Sequence, residues 1–380
     1  MIKLRTIKEQ IIKELDSVNK NVIIIYGPRQ VGKTTIIESI ISERKEKFQK
    51  FTGDDLFAQD LFGKNDLTSL KKIINGYELL IIDEAQRIEN IGLVLKLIID
   101  NFKIKIIVSG SASFDLANKI NEPLTGRTKT FYLYPFSFAE IESDYLKISQ
   151  DASIGEILRF GMLPAVHNLI GEKEKEDYLI EYINNYLHKD ILVFRNIKKP
   201  KKIMDLLALL ALQIGKEVKI SELAQNLSLN QKTVEEYLNV LEKMFVIYNL
   251  RGFSRNLRKE ISKMSKYYFY DVGIRNAIIR NFNDLKIRND AGDIFENWFI
   301  MEKIKKENNN RSFPNFYFWR TYDQQEIDLI EEKEGRLNAF ECKLSDKPYS
   351  FPKGWKDAYP QSSLIKIDKN NYQEFLSNNK

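Results

Sequence analysis

Apolar residues along the chain follow two patterns, and together they predict four successive regions. Short runs of β-branched and other apolar residues, Val22–Tyr26 and Leu79–Ile82, predict strands that are buried on both faces. Apolar residues at helical spacing dominate the middle of the chain, and strands return near its end. The predicted regions are an α/β domain over 1–145, a helical lid or linker over 150–200, a helix-rich domain ending in two strands over 201–283, and a small α/β domain over 284–380.

The loop after the first predicted strand carries a phosphate-binding motif. It contains G-x-x-x-x-G-K-[ST], with the glycines at Gly27 and Gly32 and a helical pattern directly behind it. The glycines let backbone N–H groups face phosphate oxygens, and the new helix offers its positive end to the same anion. We expect Lys33 to contact the β- and γ-phosphates and the Thr34 hydroxyl to bind Mg²⁺. The predicted ATP-binding loop consists of Gly27, Pro28, Arg29, Gln30, Val31, Gly32, Lys33, Thr34 and Thr35.

A second buried strand ends in two acids, in the sequence "ELLIIDEAQRI". The carboxyl edge of an open α/β sheet is where such folds place their ligand groups. Asp83 is therefore the predicted Mg²⁺ partner, and Glu84 is the predicted catalytic residue that polarises the attacking water.

Two further candidates follow along the same domain. The strand "KIKIIVSGSAS" ends in Ser109, Ser111 and Ser113, which either sense the γ-phosphate or form a serine-rich turn; Ser109 is the one we assign to the ATP site. Arg127, in a polar loop before a strand, is either a catalytic arginine finger or a solvated loop residue. A finger can act in cis or on a neighbouring subunit, and the second case requires a homo-oligomer.

Composition excludes several classes of protein. The chain has 380 residues and a formal net charge of +6, which permits a nucleic-acid partner such as DNA without requiring one. A single cysteine excludes an intramolecular disulfide, and with only two histidines a zinc site is not expected. The start of the chain lacks the apolar core of a signal peptide, and the longest apolar run, at 206–212, is too short to span a bilayer. We therefore expect a cytoplasmic protein with no membrane partner.

Several of these motifs resemble one family. "GPRQVGKTT", "LLIIDEAQ", "VSGSAS" and "GRTKTFYLYPFSFAE" are similar to the AAA-type ATPases of archaea and bacteria that carry a C-terminal domain of unknown function. The resemblance continues through "FGMLPAV", "YLHKDI" and "YFYDVGIRNAI". It implies ATP and Mg²⁺ as ligands, hydrolysis to ADP, and an AAA-like P-loop NTPase parallel sheet followed by a winged helix.

The third region has the element order of a winged helix-turn-helix. "KKPKK" at 198–202 is the predicted linker, Ser221 is the predicted N-cap of the second helix, and the third helix buries one apolar face. That face is formed by Val234, Leu238 and Leu241. The basic residues around the two strands are of the type that contacts phosphate in DNA-binding wings: Arg251, Arg255, Arg258, Lys259, Lys263 and Lys266. The third helix, however, holds Glu235, Glu236 and Glu242, so a lid packed on the nucleotide domain is the alternative to DNA contact.

The last region carries the spacing of a PD-(D/E)xK, restriction-endonuclease-like fold. Asp328 lies on a predicted strand, and Glu341 and Lys343 lie two apart on the next one, where period two points them to the same side. Phe340, Cys342 and Leu344 are expected to face the core, and the preceding helix adds Glu296 as a fourth catalytic candidate. Asp328 and Glu341 can hold Mg²⁺ for phosphodiester hydrolysis, with Lys343 orienting the water.

The alternative for this pattern is a solvated sheet face with surface salt bridges, and a domain of this fold can also bind without cutting. The leading hypothesis is a Mg²⁺-dependent ATPase coupled to a nucleic-acid-binding domain that is a candidate nuclease. The second hypothesis is a nucleotide-dependent switch or scaffold whose C-terminal domain binds but does not cut.

Overall fold

The computed structural model describes residues 3–18, 21–64, 66–111, 124–145, 149–187, 199–254 and 265–377. The chain divides into two compact units. The first comprises Met1–Tyr134 with Lys243–Phe245, and the second comprises Pro135–Glu242 with Val246–Lys380. Within the described ranges, no helix has the length and apolar character needed to cross a membrane.

The first unit is built on a parallel sheet. Its strands are β1 (Val22–Tyr26), β2 (Phe48–Thr52), β3 (Leu79–Asp83), β4 (Lys105–Gly110) and β5 (Thr128–Tyr132). They lie in the order β2-β3-β4-β1-β5, and every neighbouring pair is parallel. Strands β1 and β3 are buried at all five positions, as their unbroken apolar runs predict. The predicted α/β fold of this region, with strands at 22–26 and 79–82, is confirmed.

Helices connect these parallel strands, which cannot be joined by tight turns. The connecting helices are α2 (Lys33–Ser42), α3 (Leu56–Gly63), α4 (Leu67–Ile74) and α5 (Ile91–Asn101), and a further helix, α1 (Ile7–Leu15), precedes β1. Helix α2 starts directly after Gly32, which has a φ of 92°, a value that residues with a side chain rarely adopt. The carboxyl ends of β1 and β3 meet at one edge of the sheet, where the phosphate-loop sequence and the acid pair were predicted to converge.

The second unit contains eleven α-helices among its described residues. These are α6 (Phe138–Tyr145), α7 (Gln150–Phe160), α8 (Pro164–His167), α9 (Glu172–Tyr182), α10 (Pro200–Leu212), α11 (Ile220–Leu227), α12 (Gln231–Lys243), α13 (Val272–Ile278), α14 (Ala291–Asn309), α15 (Lys353–Ala358) and α16 (Tyr372–Leu376). A π-helical turn, Ile183–Leu187, follows α9.

Two predicted helix boundaries in this part are wrong. Residues 200–202 of the predicted linker are the first turn of α10, because Pro200 occupies the first helical position, where a missing N–H costs nothing. Ser221 is not an N-cap. The N-cap of helix α11 lies two residues earlier, at Lys219, which has an extended backbone. The preceding residue, Val218, donates its N–H to the Ser265 carbonyl.

A six-stranded mixed sheet forms the centre of the second unit. Its strands are β6 (Ile247–Gly252), β7 (Ser265–Phe269), β8 (Asn315–Arg320), β9 (Glu326–Lys333), β10 (Arg336–Cys342) and β11 (Ser363–Ile367). Their order is β11-β10-β9-β8-β6-β7, and β6 pairs with β8 in parallel. The two strands predicted as a wing are therefore part of the same sheet as the C-terminal strands. An isolated hairpin is marginally stable in water, whereas here β6 has a partner on each side.

Helix α14 is buried on nearly every face, and most of its charged residues are in ion pairs. Phe295, Phe299 and Ile300 are fully buried. Near its C-terminal end, Glu302 accepts a hydrogen bond from the Phe138 N–H at 2.5 Å and forms an ion pair with Lys305 at 2.7 Å. Burial raises the pKa of Glu302, and the neighbouring Lys305 opposes that shift. The charged pair thus fixes the start of α6 on α14.

Candidate functional site

The phosphate-loop sequence folds into a tight turn between β1 and α2. Gln30 and Gly32 have φ values of 61° and 92°, both in the left-handed region. The Lys33 ammonium group donates hydrogen bonds to the carbonyls of Gly27 and Pro28, at 3.0 and 2.9 Å. A Cβ atom on Gly27 would overlap the carbonyl oxygen of Leu133, so only glycine fits at the start of the loop. These contacts hold Lys33 across the base of the turn.

Asp83 is the centre of a hydrogen-bonded cluster beside this loop. The Thr34 hydroxyl donates to Asp83 Oδ2 at 2.6 Å, and the Ser109 hydroxyl donates to Oδ1. The Glu84 N–H also donates to Oδ1, at 3.1 Å. The structure thus brings together Thr34, Asp83 and Ser109, which the sequence predicted for one site. Their hydroxyl and carboxylate oxygens are the ligands that Mg²⁺ prefers, so the residues present fit that ion.

Glu84 is held beside Asp83 by its backbone and by a residue that the sequence interpretation missed. Its φ of 49° lies in the left-handed region, and Gly53 approaches its carbonyl so closely that a Cβ there would overlap it. The Gln86 amide donates to Glu84 Oε2 at 2.5 Å and to the Ser111 hydroxyl at 3.0 Å. Gln86 follows the acid pair by two residues in "DEAQ", and this spacing was the available signal. Ser113 lies outside the described residues.

Arg127 lies at the opposite edge of the sheet from the phosphate loop. Strands β1 and β5 pair with Val22 opposite Thr128, and the Val22 N–H donates to the Arg127 carbonyl at 2.9 Å. Arg127 is therefore six strand positions from the level of Gly27, about 20 Å at ~3.3 Å per residue. Its guanidinium is paired with Asp100. This geometry does not support a finger acting in cis; action on a neighbouring subunit stays a prediction.

The second cluster lies in the six-stranded sheet and contains the predicted C-terminal residues. Asp328 on β9 and Glu341 on β10 are each 4% exposed. Asp328 Oδ2 accepts the Cys342 N–H at 2.8 Å, which places it beside Glu341. The Lys343 ammonium lies 2.5 Å from Glu341 Oε1 and 3.9 Å from Asp328 Oδ2. The sequence spacing therefore does bring these three side chains together, with the two carboxylates buried and the Lys343 side chain still 42% exposed.

Glu296 joins this cluster from α14 and is bound by two residues of β7. The Tyr268 hydroxyl donates to Glu296 Oε1 at 2.5 Å, and the Lys266 ammonium lies 3.4 Å from the same oxygen. Lys266 also pairs with Glu326 and is 1% exposed. The interpretation of Lys266 as a phosphate-contacting wing residue is thus wrong, because its charge is buried among carboxylates. Of the other wing candidates, Arg251 is exposed, whereas Arg255, Arg258, Lys259 and Lys263 lie outside the described residues.

Burial controls the electrostatics of this second cluster. Burial raises the pKa of Asp328 well above its usual range, and the negative charges of Glu296 and Glu341 add to the shift. Burial also raises the pKa of Glu341, against the opposing effect of Lys343. Burial alone would lower the pKa of Lys266, but the surrounding carboxylates outweigh it and raise that pKa. Three buried carboxylates therefore face two ammonium groups.

One oxygen of this cluster has no hydrogen-bond partner in the part of the chain that the structure describes. It is Glu341 Oε2, which is buried. Across the described ranges, no three Asp, Glu, His or Cys side chains are placed together as a complete ligand set for a metal. The pair of Asp328 and Glu341 offers two carboxylates to a divalent ion, whose remaining ligands would be water or substrate oxygens. Leu344, expected in the core, is only partly buried.

Three family models match successive parts of the chain. Residues 19–142 match a model described as an AAA domain. Residues 152–285 and 291–375 match two domains of unknown function, DUF8612 and DUF4143. The first third of the chain is thus an α/β domain similar to the AAA domain model, and this similarity supports nucleotide binding and ATPase activity. A helical region and a mixed-sheet domain follow it.

Relatives along most of the chain are uncharacterized proteins. One from Mycobacterium tuberculosis is 26% identical over 353 residues, which cover 91% of this chain and 75% of that protein. Another, from Methanocaldococcus jannaschii, is 25% identical over 382 residues, covering 93% and 83%. Among solved structures, the Thermotoga maritima RuvB Holliday junction branch migration motor matches at 17% identity and a TM-score of 0.33, covering 63% of this chain and 88% of that one.

Proposed function

We propose that this protein is a Mg²⁺-dependent ATPase whose C-terminal domain acts on nucleic acid. The observation that carries the first part is the convergence of the phosphate loop, Thr34 and Asp83 at one edge of the parallel sheet. Lys33 and the loop amides bind the phosphates of the nucleotide, and Thr34 and Asp83 hold the ion that accompanies them. Glu84 orients the attacking water, and Ser109 links Asp83 to the end of β4.

The ATPase is tested by Lys33→Ala in the full chain, with Lys64→Ala as the matched control. Lys64 is exposed, directly follows α3, and among the described contacts its side chain pairs only with Asp60 of that helix. We expect Lys33→Ala to abolish ATP turnover while the far-UV circular dichroism spectrum is retained, and Lys64→Ala to behave as the wild type. Turnover that survives Lys33→Ala would exclude this loop as the catalytic site.

The second part of the proposal is supported by the buried carboxylate cluster. Asp328 and Glu341 face each other with more negative than positive charge around them, and Glu341 Oε2 is buried without a described partner. A divalent ion between the two carboxylates neutralises that excess and supplies charge stabilisation for phosphodiester hydrolysis. Lys343 is within reach of both carboxylates and orients the water or the phosphate.

Cleavage is tested on branched, nicked and single-stranded DNA with Mg²⁺ or Mn²⁺. Asp328→Asn removes a negative charge at nearly constant shape and keeps an acceptor for the Cys342 N–H. Glu334→Gln, in the exposed turn between β9 and β10, makes the same chemical change away from the cluster. We expect the wild type and Glu334→Gln to cut one of these substrates and Asp328→Asn to be inactive. Equal activity of all three proteins would remove the nuclease hypothesis.

One observation favours the second candidate, a nucleotide-dependent switch whose C-terminal domain binds without cutting. Glu296 is occupied by Tyr268 and Lys266, and the described residues hold no complete three-ligand set. Tight nucleotide binding with slow turnover, DNA binding, and no cleavage of any substrate by the wild type would establish this alternative. If Arg127 acts in trans, a size measurement with and without ATP will show that the wild type forms an oligomer. Arg127→Ala will then lose ATP turnover while still forming that oligomer.

A further inference from the structure

Arg5, from the segment before α1, is bound to the phosphate loop. Its side chain is 9% exposed, and Nη1 donates a hydrogen bond to the Val31 carbonyl at 2.7 Å. Nη2 donates to the Tyr134 carbonyl at 2.6 Å. Arg5 and Val31 are 26 residues apart, and Arg5 and Tyr134 are 129 apart, so one guanidinium joins three distant segments.

The bond to Val31 determines the direction of a phosphate-facing donor. The Val31 carbonyl and the Gly32 N–H belong to the same peptide unit, and in a planar trans peptide these two groups point in opposite directions. A guanidinium that holds the carbonyl on one side therefore turns the Gly32 N–H to the other side, away from Arg5. Gly32 is the residue of the motif that immediately precedes Lys33 and α2.

The loop needs such a restraint because its backbone is strained. Gln30 has a φ of 61°, in a region that residues with a side chain disfavour, whereas Gly32 adopts its φ of 92° without strain because it has no Cβ atom. Strained conformations of this kind cost free energy and persist only when the surrounding structure fixes them. Without an external contact, the peptide between Val31 and Gly32 is free to rotate as a unit and lose its alignment.

The bond to Tyr134 gives the guanidinium a fixed support. Tyr134 follows Leu133, whose N–H donates to the Tyr26 carbonyl at 2.7 Å. The Leu133 carbonyl in turn lies against Gly27, where a Cβ would not fit. Arg5 thus connects the middle of the loop to a backbone segment that already contacts the loop at its start. Arginine suits this position because its planar fork donates to the two carbonyls from two separate nitrogens, whereas a lysine has to reach both acceptors from one nitrogen.

We propose that Arg5 is a positioning residue for nucleotide binding: it holds the Val31–Gly32 peptide in the orientation that accepts phosphate, without touching the nucleotide. The proposal rests on the proposed ATPase function and adds a residue outside the loop motif. It predicts a specific separation of effects. Loss of Arg5 weakens the binding of the ground-state phosphates, while the residues that act on the bound nucleotide, Lys33, Asp83 and Glu84, are unchanged.

The test compares Arg5→Met, Arg5→Lys and Lys8→Met with the wild-type full chain. Lys8→Met is the matched control because Lys8 is also a buried cation at the start of α1. It binds the Ser39 hydroxyl on α2 and Glu43 at the end of that helix, away from the loop carbonyls. For each protein, the dissociation constant of a fluorescent ATP analogue with Mg²⁺, the kcat and KM for ATP, and the melting temperature are measured.

We expect Arg5→Met to raise the dissociation constant and KM by about 10- to 100-fold, the factor that corresponds to losing a charge-assisted hydrogen bond. The kcat at saturating ATP should change by less than about threefold, because the reacting groups are intact. Arg5→Lys should recover part of the affinity. Lys8→Met should lower the melting temperature without weakening nucleotide binding.

Two results overturn the proposal while leaving the ATPase standing. One is wild-type affinity in Arg5→Met, and the other is an equal loss of affinity in Lys8→Met, which would show that any disturbance of α1 has the same effect. If Arg5→Met fails to fold, the comparison of Arg5→Lys with Lys8→Met decides in the same way. A wild-type protein that binds no nucleotide would remove the proposed function together with this inference.

Discussion

The buried lysine of the second unit gives a quantitative prediction. Lys266 is 1% exposed, and its ammonium group lies among Glu296, Glu326 and Asp328. Lys266→Met removes the positive charge at similar side-chain volume and leaves the carboxylates of Glu296 and Glu326 without this counter-charge. Breaking a buried ion pair in this way costs about 3–5 kcal/mol. We therefore expect Lys266→Met to destabilise the second unit by about that amount.

The structure supplies a selective assay for this unit. All three tryptophans, Trp298, Trp319 and Trp355, lie in it and are buried, so intrinsic fluorescence during urea unfolding reports on this unit. A double-mutant cycle isolates the pair: Lys266→Met together with Glu296→Gln leaves no charge at position 296 and should recover about 1–3 kcal/mol of the loss. Saturating Mn²⁺ should stabilise Lys266→Met more than the wild type, because the ion restores positive charge to the cluster.

The control for the cycle is Lys306→Met. Lys306 lies on α14 and donates hydrogen bonds to the carbonyls of Phe375 and Ser377, at 2.9 and 2.8 Å, so its loss breaks no ion pair among the described contacts. We expect a cost of about 1–2 kcal/mol from those hydrogen bonds, and no coupling to Glu296→Gln. If Lys266→Met costs no more than Lys306→Met, or the cycle gives no coupling, the electrostatic account of the cluster is refuted.

Three further results are expected. Gly27→Ala should weaken nucleotide binding at least about tenfold, because the added Cβ atom overlaps the Leu133 carbonyl oxygen. Gly63→Ala, where the added Cβ atom meets open space, should bind nucleotide as the wild type does. Equal affinity of the two variants would contradict the steric argument. Burial raises the pKa of Glu302, so this carboxyl binds a proton more tightly in the folded state than in the unfolded state. Its contribution to stability is therefore present at low pH and is lost as pH rises from the usual range of a glutamate to the raised pKa. The slope of that loss is up to about 1.4 kcal/mol per pH unit. Urea unfolding of the wild type and Glu302→Gln across pH 4–8 tests this, since the difference between the two curves should follow that slope. Asp328→Asn should unfold at a urea concentration no lower than the wild type and lose its stabilisation by Mn²⁺; a large destabilisation would show that the carboxylate serves the fold.

Sequence reasoning succeeded where the signal is local. The strand at 22–26, the loop that follows it and the strand ending in Asp83 are each encoded within about ten residues, and parallel strands necessarily bring their carboxyl ends together. The pair of Asp328 and Glu341 was also accessible, because an antiparallel hairpin sets residues opposite each other once its turn is identified.

The residues that sequence reasoning missed or misplaced depend on contacts distant in the chain. Arg127 is of the residue type that serves as an arginine finger, but only the register of β5 against β1 shows that it lies at the edge of the sheet opposite the phosphate loop. Lys266 stands among basic residues, and only the position of β7 beside α14 reveals that its partners are acids. Arg5 carries no motif, since its two acceptors are backbone carbonyls whose positions no local pattern indicates.

The shared six-stranded sheet has a consequence for dividing this chain into fragments. The first of the two family models of unknown function ends at residue 285, and the second begins at residue 291. Strands β6 and β7 precede this boundary, yet they lie in one sheet with the strands that follow it. A protein truncated to begin at 284 would keep Asp328 and Glu341 but lack Lys266 and Tyr268, so its acids would have no counter-charge from β7. It would also expose the edge of β8 that β6 covers, and unprotected edges of this kind pair with other chains and aggregate. Recombinant work on the carboxylate cluster therefore has to begin upstream of β6.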